Sequence, residues 1–365
     1  MPERKNDTDI KLFANYLGER REEIWKYIES CLAEYKQTDK EILRMMGQSM
    51  YDGLLEEHWS IVEDYPRRKG KYLRPGLVLL MAEALGVKKE KALCTAAAMQ
   101  TSEDWILVHD DLVDRSLERR GEKALHRIVG EEIAVNAGDT LHECMHRILN
   151  RNYGILDTAL ASRVQQEFFR MLSRTCFGQY AEIKWMQEDR QDMTEADVIF
   201  TISGKTVYYT IAGPLRLGAI LAGASDEQLH KIYEFSYPLG LCFQIRDDVL
   251  DLTSDFEGLK KQVCNDIYEG KRTLILLHLL RTAKGEELEK IQSILAKPRE
   301  LKTLDEVLYI KKKMLDHGSI SYADGLAEKY AAEAMAKLDN IDFIWDGKFK
   351  ELFRSMVEFI LKRGK

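Results

Sequence analysis

Proline, paired cysteines and long apolar stretches are all scarce in this chain of 365 residues. Only 6 residues are proline, and because proline interrupts helices, its scarcity favours long uninterrupted ones. The 6 cysteines are scattered without a Cys-x-x-Cys pair, which is typical of a reducing compartment. The polar amino-terminal sequence lacks the apolar core of a secretory signal, and no stretch approaches the roughly 18 apolar residues of a membrane-spanning helix. We therefore expect a cytoplasmic protein without an integral membrane segment.

An excess of positive charge is also lacking. The chain has 54 Lys and Arg residues against 61 Asp and Glu residues, a net charge of -7. Nucleic-acid binders and binders of anionic membranes usually carry a basic excess or a basic tract, so the composition argues against both kinds of partner. Hydrophobic residues make up 45% of the chain and charged residues 32%, which are ordinary values for a globular chain that buries a large core.

Helical periodicity is the main local pattern, and strand patterns are almost absent. The sequence predicts helices over residues 8–35, 75–85, 89–112, 131–151, 157–187, 195–222, 226–252, 272–281, 303–317, 322–338 and 349–362. Thr8 or Asp9 is the expected cap of the first helix. Polar, basic loops over 64–74 and 253–271 are candidate functional segments. Without repeats or a flexible linker, the chain is predicted to be a single all-α domain over residues 1–365, one large bundle of helices.

Two aspartate motifs of the form Asp-Asp-x-x-Asp each end an apolar helix. They consist of Asp110, Asp111 and Asp114, and of Asp247, Asp248 and Asp251. Residues i and i+4 of a helix lie on one face, about 5–6 Å apart, so each motif presents two carboxylates side by side. The carboxylates of such a cluster repel one another and lie at the negative end of the helix dipole. Both effects are unfavourable, and a bound cation would relieve them. Carboxylates without Cys or His partners suit Mg²⁺, which often shares phosphate oxygens; the alternative is a solvated acidic surface.

Basic side chains accompany the aspartates, as expected if the metal shares its ligand with phosphate. They lie in four places along the sequence: Lys71 and Arg74; Arg119 and Arg120; Lys205; and Lys261, Lys271 and Arg272. The first pair precedes a predicted helix, whose amino-terminal N–H groups favour anions. Taken singly, most of these cations are better explained as solvated surface groups. Lys205 differs, because a lysine within an apolar helical stretch needs a polar partner nearby.

Taken in order, these segments resemble the motifs of the trans-isoprenyl diphosphate synthases, which make farnesyl, geranylgeranyl and longer polyprenyl diphosphates. The similar segments are GKYLRP (70–75), HDDLVDRSLERRG (109–121), NAGDTL (136–141), GKT (204–206), FQIRDDVLDL (243–252) and NDIYEGKRT (265–273). The resemblance covers most of the chain. It implies a bundle of long helices around a deep central cavity, and a homodimer.

The resemblance also implies a reaction and roles for residues. An allylic diphosphate ionises with the help of Mg²⁺, three ions being bound with substrate, and isopentenyl diphosphate attacks the resulting cation head-to-tail. The implied catalytic residues are Lys205, Thr206, Gln244 and Lys271, and these four bind the allylic diphosphate together with Arg119 and Lys261. The implied binding residues for isopentenyl diphosphate are Lys71, Arg74, Arg120 and Glu103, which stands at a position that contacts this substrate in the family. The basic tail, with Lys362, Arg363 and Lys365, is expected to help close the site.

Glu103 is a departure from the family pattern, which usually has histidine seven residues before the first aspartate. An ionised glutamate would repel a diphosphate unless it were protonated or paired with Lys71 or Arg74. The sequence leaves open an altered second-substrate site or reduced activity.

Trp105 is the candidate determinant of product length, together with Ile106. It lies five residues before Asp110, about 7–8 Å down the helix axis, where an indole would form the floor of the cavity and stop elongation early. The resemblance to archaeal geranylgeranyl-type synthases points the same way. We predict a short product, geranylgeranyl diphosphate ahead of farnesyl diphosphate; an ordinary core tryptophan is the alternative.

Three competing functions remain at this point. His142, Glu143 and His146 match the His-Glu-x-x-His pattern of zinc hydrolases, although such sites need a third ligand and normally lie beside a sheet. A regulatory or weakly active subunit of a heteromeric prenyl diphosphate synthase would account for Glu103. A terpene cyclase shares one aspartate motif, but its second metal motif normally differs from the one in this chain.

Overall fold

The computed structural model describes residues 3–188, 190, 192–253, 264–344 and 346–363, with side chains described from residue 11 onward. The predicted all-α class is confirmed, since the only strands in this part of the chain are β1 (Glu118–Arg119) and β2 (Glu122–Lys123), which form one antiparallel hairpin. The α-helices are α1 (Glu3–Met45), α2 (Asp52–Val62), α3 (Asp64–Arg67), α4 (Leu73–Ala84), α5 (Lys89–Val113), α6 (His126–Val129), α7 (Glu131–Asn150), α8 (Thr158–Gln187), α9 (Glu195–Ile202), α10 (Gly213–Leu221), α11 (Asp226–Thr253), α12 (Asn265–Glu269), α13 (Leu274–Thr282), α14 (Gly285–Leu295), α15 (Leu304–Asp316), α16 (Ser319–Asp339) and α17 (Gly347–Leu361).

The contacts divide the chain into two compact units. The N-terminal unit comprises Ala14–Glu167 and Pro214–Ser225, and the C-terminal unit comprises Met1–Phe13, Phe168–Gly213 and Asp226–Lys365. Helices α1 and α8 contribute residues to both units. The expectation of a single domain over residues 1–365 stays a prediction.

The N-terminal unit is built around α5, which packs against α4 and α7. Helix α4 is fully buried from Leu77 to Ala82, and an interior helix of this kind is apolar on every side. A Cβ atom on Gly218 would lie 2.4 Å from the Val78 carbonyl oxygen, so only glycine allows α10 to pack this closely on α4. This packing fixes α5, whose carboxyl end carries the first aspartate motif.

The C-terminal unit is built around α11, which packs against α16 and against a π-helical segment, Ser203–Ala212. A Cβ atom on Gly240 would lie 2.8 Å from the Cα atom of Val207. Glycine at this position therefore lets α11 approach the π-helical segment closely. The close approach brings the residues before the second aspartate motif next to Thr206.

Several predicted helix boundaries differ from the observed ones. Helix α1 already includes residues 3–10, so the prediction that it begins at Thr8 or Asp9 is wrong, and it ends ten residues beyond the predicted 35. The predicted helix over 195–222 is observed as α9, the π-helical segment and α10, while α2 and α14 were not predicted. The first candidate loop, 64–74, contains α3 and the start of α4. The second, 253–271, contains α12, and its residues 254–263 lie outside the described residues. None of the helices described combines the length and apolar character needed to cross a lipid bilayer.

Candidate active site

The first aspartate motif lies at the carboxyl end of α5. The Asp114 N–H donates to the Asp110 carbonyl oxygen at 2.8 Å, so these two residues are one helical turn apart. Both side chains are partly buried. Their carboxylates therefore project from the same side of the helix end, as the i, i+4 spacing requires.

Asp111, between them, is a fully buried carboxylate with partners of its own. It accepts a hydrogen bond from the Tyr65 hydroxyl at 2.7 Å, and Arg119 Nε lies 2.8 and 3.0 Å from its two oxygens. Burial opposes the charge on Arg119, but Asp111 and Asp110 outweigh it and raise the pKa of the guanidinium. The predicted metal ligand Asp111 and the predicted diphosphate ligand Arg119 thus bind each other in this structure.

A two-residue hairpin turn directs Arg120 back toward α5. Arg120 and Gly121 have φ values of 55° and 84°, the pattern of a type I′ turn that matches the twist of a hairpin. Positive φ costs about 1–2 kcal/mol for a residue with a Cβ atom. Arg120 Nη2 donates to Asp104 Oδ1 at 2.8 Å, and its Nη1 donates to the Tyr65 carbonyl oxygen at 2.7 Å. These bonds hold the strained turn in place.

Glu103 lies among the basic side chains predicted to bind the second substrate. Its carboxylate lies 3.2 Å from Arg74 Nη1 and 3.9 Å from Arg120 Nη2. Lys71 is exposed just before α4. Asp104 is only 1% exposed, and burial together with the charge of Glu103 raises the pKa of Asp104 to about 6, against the opposing effect of Arg120. The structure therefore brings Arg74 and Arg120 together with two carboxylates.

A hydrogen-bonded chain of side chains ends at the second aspartate motif, near the carboxyl end of α11. Thr206 Oγ1 donates to Gln244 Oε1 at 2.6 Å, and Gln244 Nε2 donates to Asp248 Oδ1 at 2.7 Å. Lys271 Nζ lies 3.5 Å from the same Asp248 oxygen. Three of the four predicted catalytic residues therefore meet around Asp248.

Negative charge is concentrated at this motif. Burial, with the neighbouring Asp266 and Asp247, raises the pKa of Asp248 well above its usual range, although Lys271 acts in the opposite direction. Burial lowers the pKa of Lys271, but Asp266 at 3.6 Å and Asp248 outweigh it and raise that pKa well above its usual value. The Asp266 N–H also donates to Asp251 Oδ2 at 3.1 Å. Further positive charge would be favourable here.

Lys205, the fourth predicted catalytic residue, lies in the π-helical segment and has the polar partner that the sequence required. Its Nζ donates to Glu182 Oε2 at 2.7 Å. A Cβ atom on Gly178 would lie 2.6 Å from the backbone nitrogen of Lys205, so α8 is in close contact with the π-helical segment. Glu182 follows one helical turn later on α8, which places its carboxylate within reach of the lysine.

The carboxyl-terminal segment reaches the second aspartate motif. Arg363 Nη1 lies 3.1 Å from Asp247 Oδ1, and its guanidinium lies 4.7 Å from the centre of the Phe243 ring. The Arg363 carbonyl oxygen accepts a hydrogen bond from Arg246 Nη2 at 3.2 Å. Arg363 thus supplies one positive charge to this motif, while Lys365 lies outside the described residues.

Trp105 is part of an aromatic cluster in the N-terminal unit. Its ring centre lies 4.1 Å from that of His142, with the planes tilted by 32°, and 6.2 Å from that of His109. His142 Nε2 lies 3.1 Å from His146 Nε2. Burial and the neighbouring His146 lower the pKa of His142. Trp105 and Ile106 are both partly buried, one turn or more before the first aspartate motif.

The donor chemistry of the aspartate motifs fits Mg²⁺. The side chains supply only oxygen ligands. Burial, together with the charges of Asp266 and Asp247, raises the pKa of Asp248, and a divalent cation would offset the repulsion between these carboxylates. No group of three or more His, Cys, Asp or Glu side chains is placed to hold a metal ion among the residues the structure describes. That statement covers His142, Glu143 and His146, so the third ligand required of a zinc hydrolase is not found there. It also covers the two aspartate motifs, so Mg²⁺ held by them would need water or diphosphate oxygens as further ligands.

Four residues with roles in these networks were not singled out from the sequence: Tyr65, Asp104, Glu182 and Asp266. Asp266 lies in a recognised segment, NDIYEGKRT, and Asp104 is adjacent to Glu103, so local sequence signals existed for both. Tyr65 and Glu182 meet their partners only through tertiary packing. Lys261, predicted to bind the allylic diphosphate, lies outside the described residues.

Comparison with known proteins identifies relatives of this chain. Among curated proteins, it is 34% identical over 304 residues to a geranylgeranyl diphosphate synthase of Methanosarcina mazei, covering 80% of this chain and 86% of that protein. It is 31% identical over 302 residues to a geranylfarnesyl diphosphate synthase of Aeropyrum pernix, covering 81% and 91%. Among solved structures, a geranylgeranyl pyrophosphate synthetase of Pyrococcus horikoshii has a TM-score of 0.74 at 27% identity, covering 94% of this chain and 99% of that one.

A family model matches the same region. The polyprenyl synthetase family model covers residues 57–313, which include both aspartate motifs, the hairpin and the π-helical segment. The match spans well over half of the chain. The protein is a member of the polyprenyl synthetase family of trans-prenyltransferases.

Proposed function

We propose that this chain condenses isopentenyl diphosphate head-to-tail with an allylic diphosphate to give a short-chain product, with geranylgeranyl diphosphate favoured over farnesyl diphosphate as its identity. The observation that carries the proposal is the shared construction of the two aspartate motifs. In each, the second aspartate is buried beside a cation, Asp111 beside Arg119 and Asp248 beside Lys271. The first aspartate of each motif is only partly buried, which suits a ligand of ions that also bind substrate.

The motifs would hold three magnesium ions with substrate bound. The proposed ligands are Asp110, Asp111, Asp114, Asp247, Asp248 and Asp251. When bound, the ions supply Lewis-acid stabilisation of the departing pyrophosphate. Lys205, Lys271 and Arg119, joined by Lys261, would neutralise the remaining charge. The first three are already positioned by carboxylates, and such preorganised charges lower a barrier without reorganisation during the reaction.

The reaction breaks the allylic C–O bond and forms a C–C bond. Departure of pyrophosphate leaves an allylic cation, the double bond of isopentenyl diphosphate attacks it, and the pyrophosphate takes the proton that is then lost. The Thr206 hydroxyl fixes the amide of Gln244, so that this pair would orient the diphosphate or steady the cation. Lys71, Arg74 and Arg120, with Glu103 beside them, would bind the diphosphate of the second substrate. Exclusion of water protects the cation.

Trp105, with Ile106, is proposed to limit elongation. The support is the position of Trp105 on α5 before Asp110, where its ring contacts the tilted ring of His142. Relatives named for geranylgeranyl and geranylfarnesyl products support a short chain as well.

The function is tested by incubating the purified chain with Mg²⁺, labelled isopentenyl diphosphate and each of three primers (C5, C10 and C15), then sizing the products. We expect labelled short-chain product, and a loss of about 10²–10³-fold in Asp247→Asn. Asp339→Asn is the matched control, because Asp339 also ends a long helix of the C-terminal unit and pairs with an arginine, at 2.8 Å from Arg354. Product formation by the lone chain would also exclude a purely regulatory subunit, whereas no product with any primer would contradict the proposal.

A cytoplasmic location and a homodimer complete the proposal. All 6 cysteines are without a disulfide bond, which supports a reducing compartment. The homodimer rests on the family resemblance, and light scattering of the purified protein tests it.

A further inference from the structure

Arg74 and Arg120 face an unusual pair of neighbours for cations expected to bind an anion. Glu103, whose side chain is 13% exposed, lies 3.2 Å from Arg74 and 3.9 Å from Arg120, whose side chains are 21% and 12% exposed. Ion pairs shielded to this degree are screened less by solvent and salt than surface pairs. The positive charge of this pocket is therefore already partly neutralised by the protein itself.

The two carboxylates of the pocket have different roles. Asp104 binds Arg120 at 2.8 Å and Gln100 at 3.1 Å, so it holds the hairpin arginine in place. Glu103 Oε2 is buried and makes no hydrogen bond of proper geometry within the described structure, although it lies close to Arg74. Glu103 is thus the less firmly fixed carboxylate.

Other buried oxygens lie near these arginines and carboxylates. Buried oxygens of Tyr72, Gln100 and Asp104 also make no hydrogen bond in the described structure. Buried polar atoms of this kind are destabilising unless water or a ligand satisfies them. A diphosphate entering the pocket would bring further acceptors and more negative charge, so it must compete with Glu103 for the arginine donors.

We propose that Glu103 is an internal competitor for the second substrate: its carboxylate occupies Arg74 and shares Arg120, and it must release them before a diphosphate binds. The inference rests on the proposed function for the identity of that substrate. It makes Glu103 a specificity-determining residue that weakens binding of the second diphosphate and leaves the allylic diphosphate unaffected.

The test measures binding of isopentenyl diphosphate and of inorganic pyrophosphate by calorimetry without Mg²⁺, in the full-length protein and in Glu103→Gln. We expect a Kd at least about tenfold lower in the variant, equivalent to about 1.4 kcal/mol. Glu63→Gln is the matched control, because the Glu63 side chain is also 13% exposed and pairs with an arginine, Arg67, at 2.7 Å. The Kd of Glu63→Gln for either ligand should equal that of the wild type. An unchanged or higher Kd in a folded Glu103→Gln protein overturns the proposal.

A second variant keeps the proposal testable if Glu103→Gln does not fold. Glu103→Asp keeps the charge but withdraws it from Arg74 by one methylene group, so we expect a smaller decrease in Kd, about threefold. If Glu103→Gln does not fold, an unchanged Kd in Glu103→Asp overturns the proposal in its place.

Turnover separates this inference from the proposed function. If the wild-type chain makes prenyl product while Glu103→Gln binds isopentenyl diphosphate no more tightly, the competitor role fails and the enzymatic function stands. If no variant makes product but pyrophosphate binds more tightly to Glu103→Gln, the competitor role stands and the enzymatic function fails. If both proteins make product, the KM for the allylic primer should be equal in wild type and Glu103→Gln.

Discussion

Replacement of Tyr65 by phenylalanine tests the anchoring of the first aspartate motif. The Tyr65 hydroxyl donates to the buried Asp111 at 2.7 Å and accepts from the Leu125 N–H at 3.1 Å. A hydrogen bond to a charged group contributes about 1.5–3 kcal/mol, and a buried N–H left without a partner costs about 1–3 kcal/mol. We expect Tyr65→Phe to lower the free energy of unfolding by roughly 2–4 kcal/mol, because a single hydroxyl oxygen makes both hydrogen bonds and both are lost together.

The measurement is thermal unfolding, where a loss of this size lowers the melting temperature of a chain this long by about 3–5 °C. Tyr72→Phe is the matched control, since Tyr72 is equally buried at 1% exposure and its hydroxyl makes no hydrogen bond in the described structure. We expect the control to unfold at nearly the wild-type temperature. Equal destabilisation by the two variants would refute the anchoring role, because it would mean that loss of the hydroxyl itself, rather than of its bonds, sets the cost.

Three further changes probe the site. Trp105→Ala should lengthen the product by removing the proposed floor, and chromatography showing unchanged chain length would remove that assignment. Lys271→Met leaves Asp248 buried without its cation, which costs about 3–5 kcal/mol; an unaltered melting temperature would argue against the pair. Arg363→Ala removes a partly exposed ion pair worth about 0–1 kcal/mol, so the free energy of unfolding should change little. Because Asp247 loses a competing cation, half-maximal turnover should need a lower Mg²⁺ concentration. A higher Mg²⁺ requirement in a titration would contradict this.

The helical class followed from the sequence because its signals are local. Apolar residues at helical spacing and the scarcity of proline and strand patterns predicted α5 and α11 within two residues at each end. The start of α1 was misplaced because Thr8 and Asp9 are good capping residues, yet the helix passes through them. The π-helical segment was not predicted because its widened turns leave no separate period in so short a stretch.

The sequence predicted which charged residues belong to the site, but not which of them pair with each other. The two aspartate motifs are spaced by helix geometry, so their paired carboxylates were predictable. The partner of Lys205 was expected but not identified, because Glu182 meets it through the packing of α8 on the π-helical segment. The sequence left open whether Glu103 is protonated or paired with Lys71 or Arg74, and only the tertiary structure places the Glu103 carboxylate 3.2 Å from Arg74.

The most direct test of the central claim, that both aspartate motifs bind ions of one diphosphate, is a count of bound Mn²⁺ by electron paramagnetic resonance. The measurement uses a non-ionisable allylic thiolodiphosphate with the wild-type chain, Asp110→Asn and Asp247→Asn. The account predicts three ions per wild-type chain and fewer in each variant. A full complement of ions in either variant would contradict it.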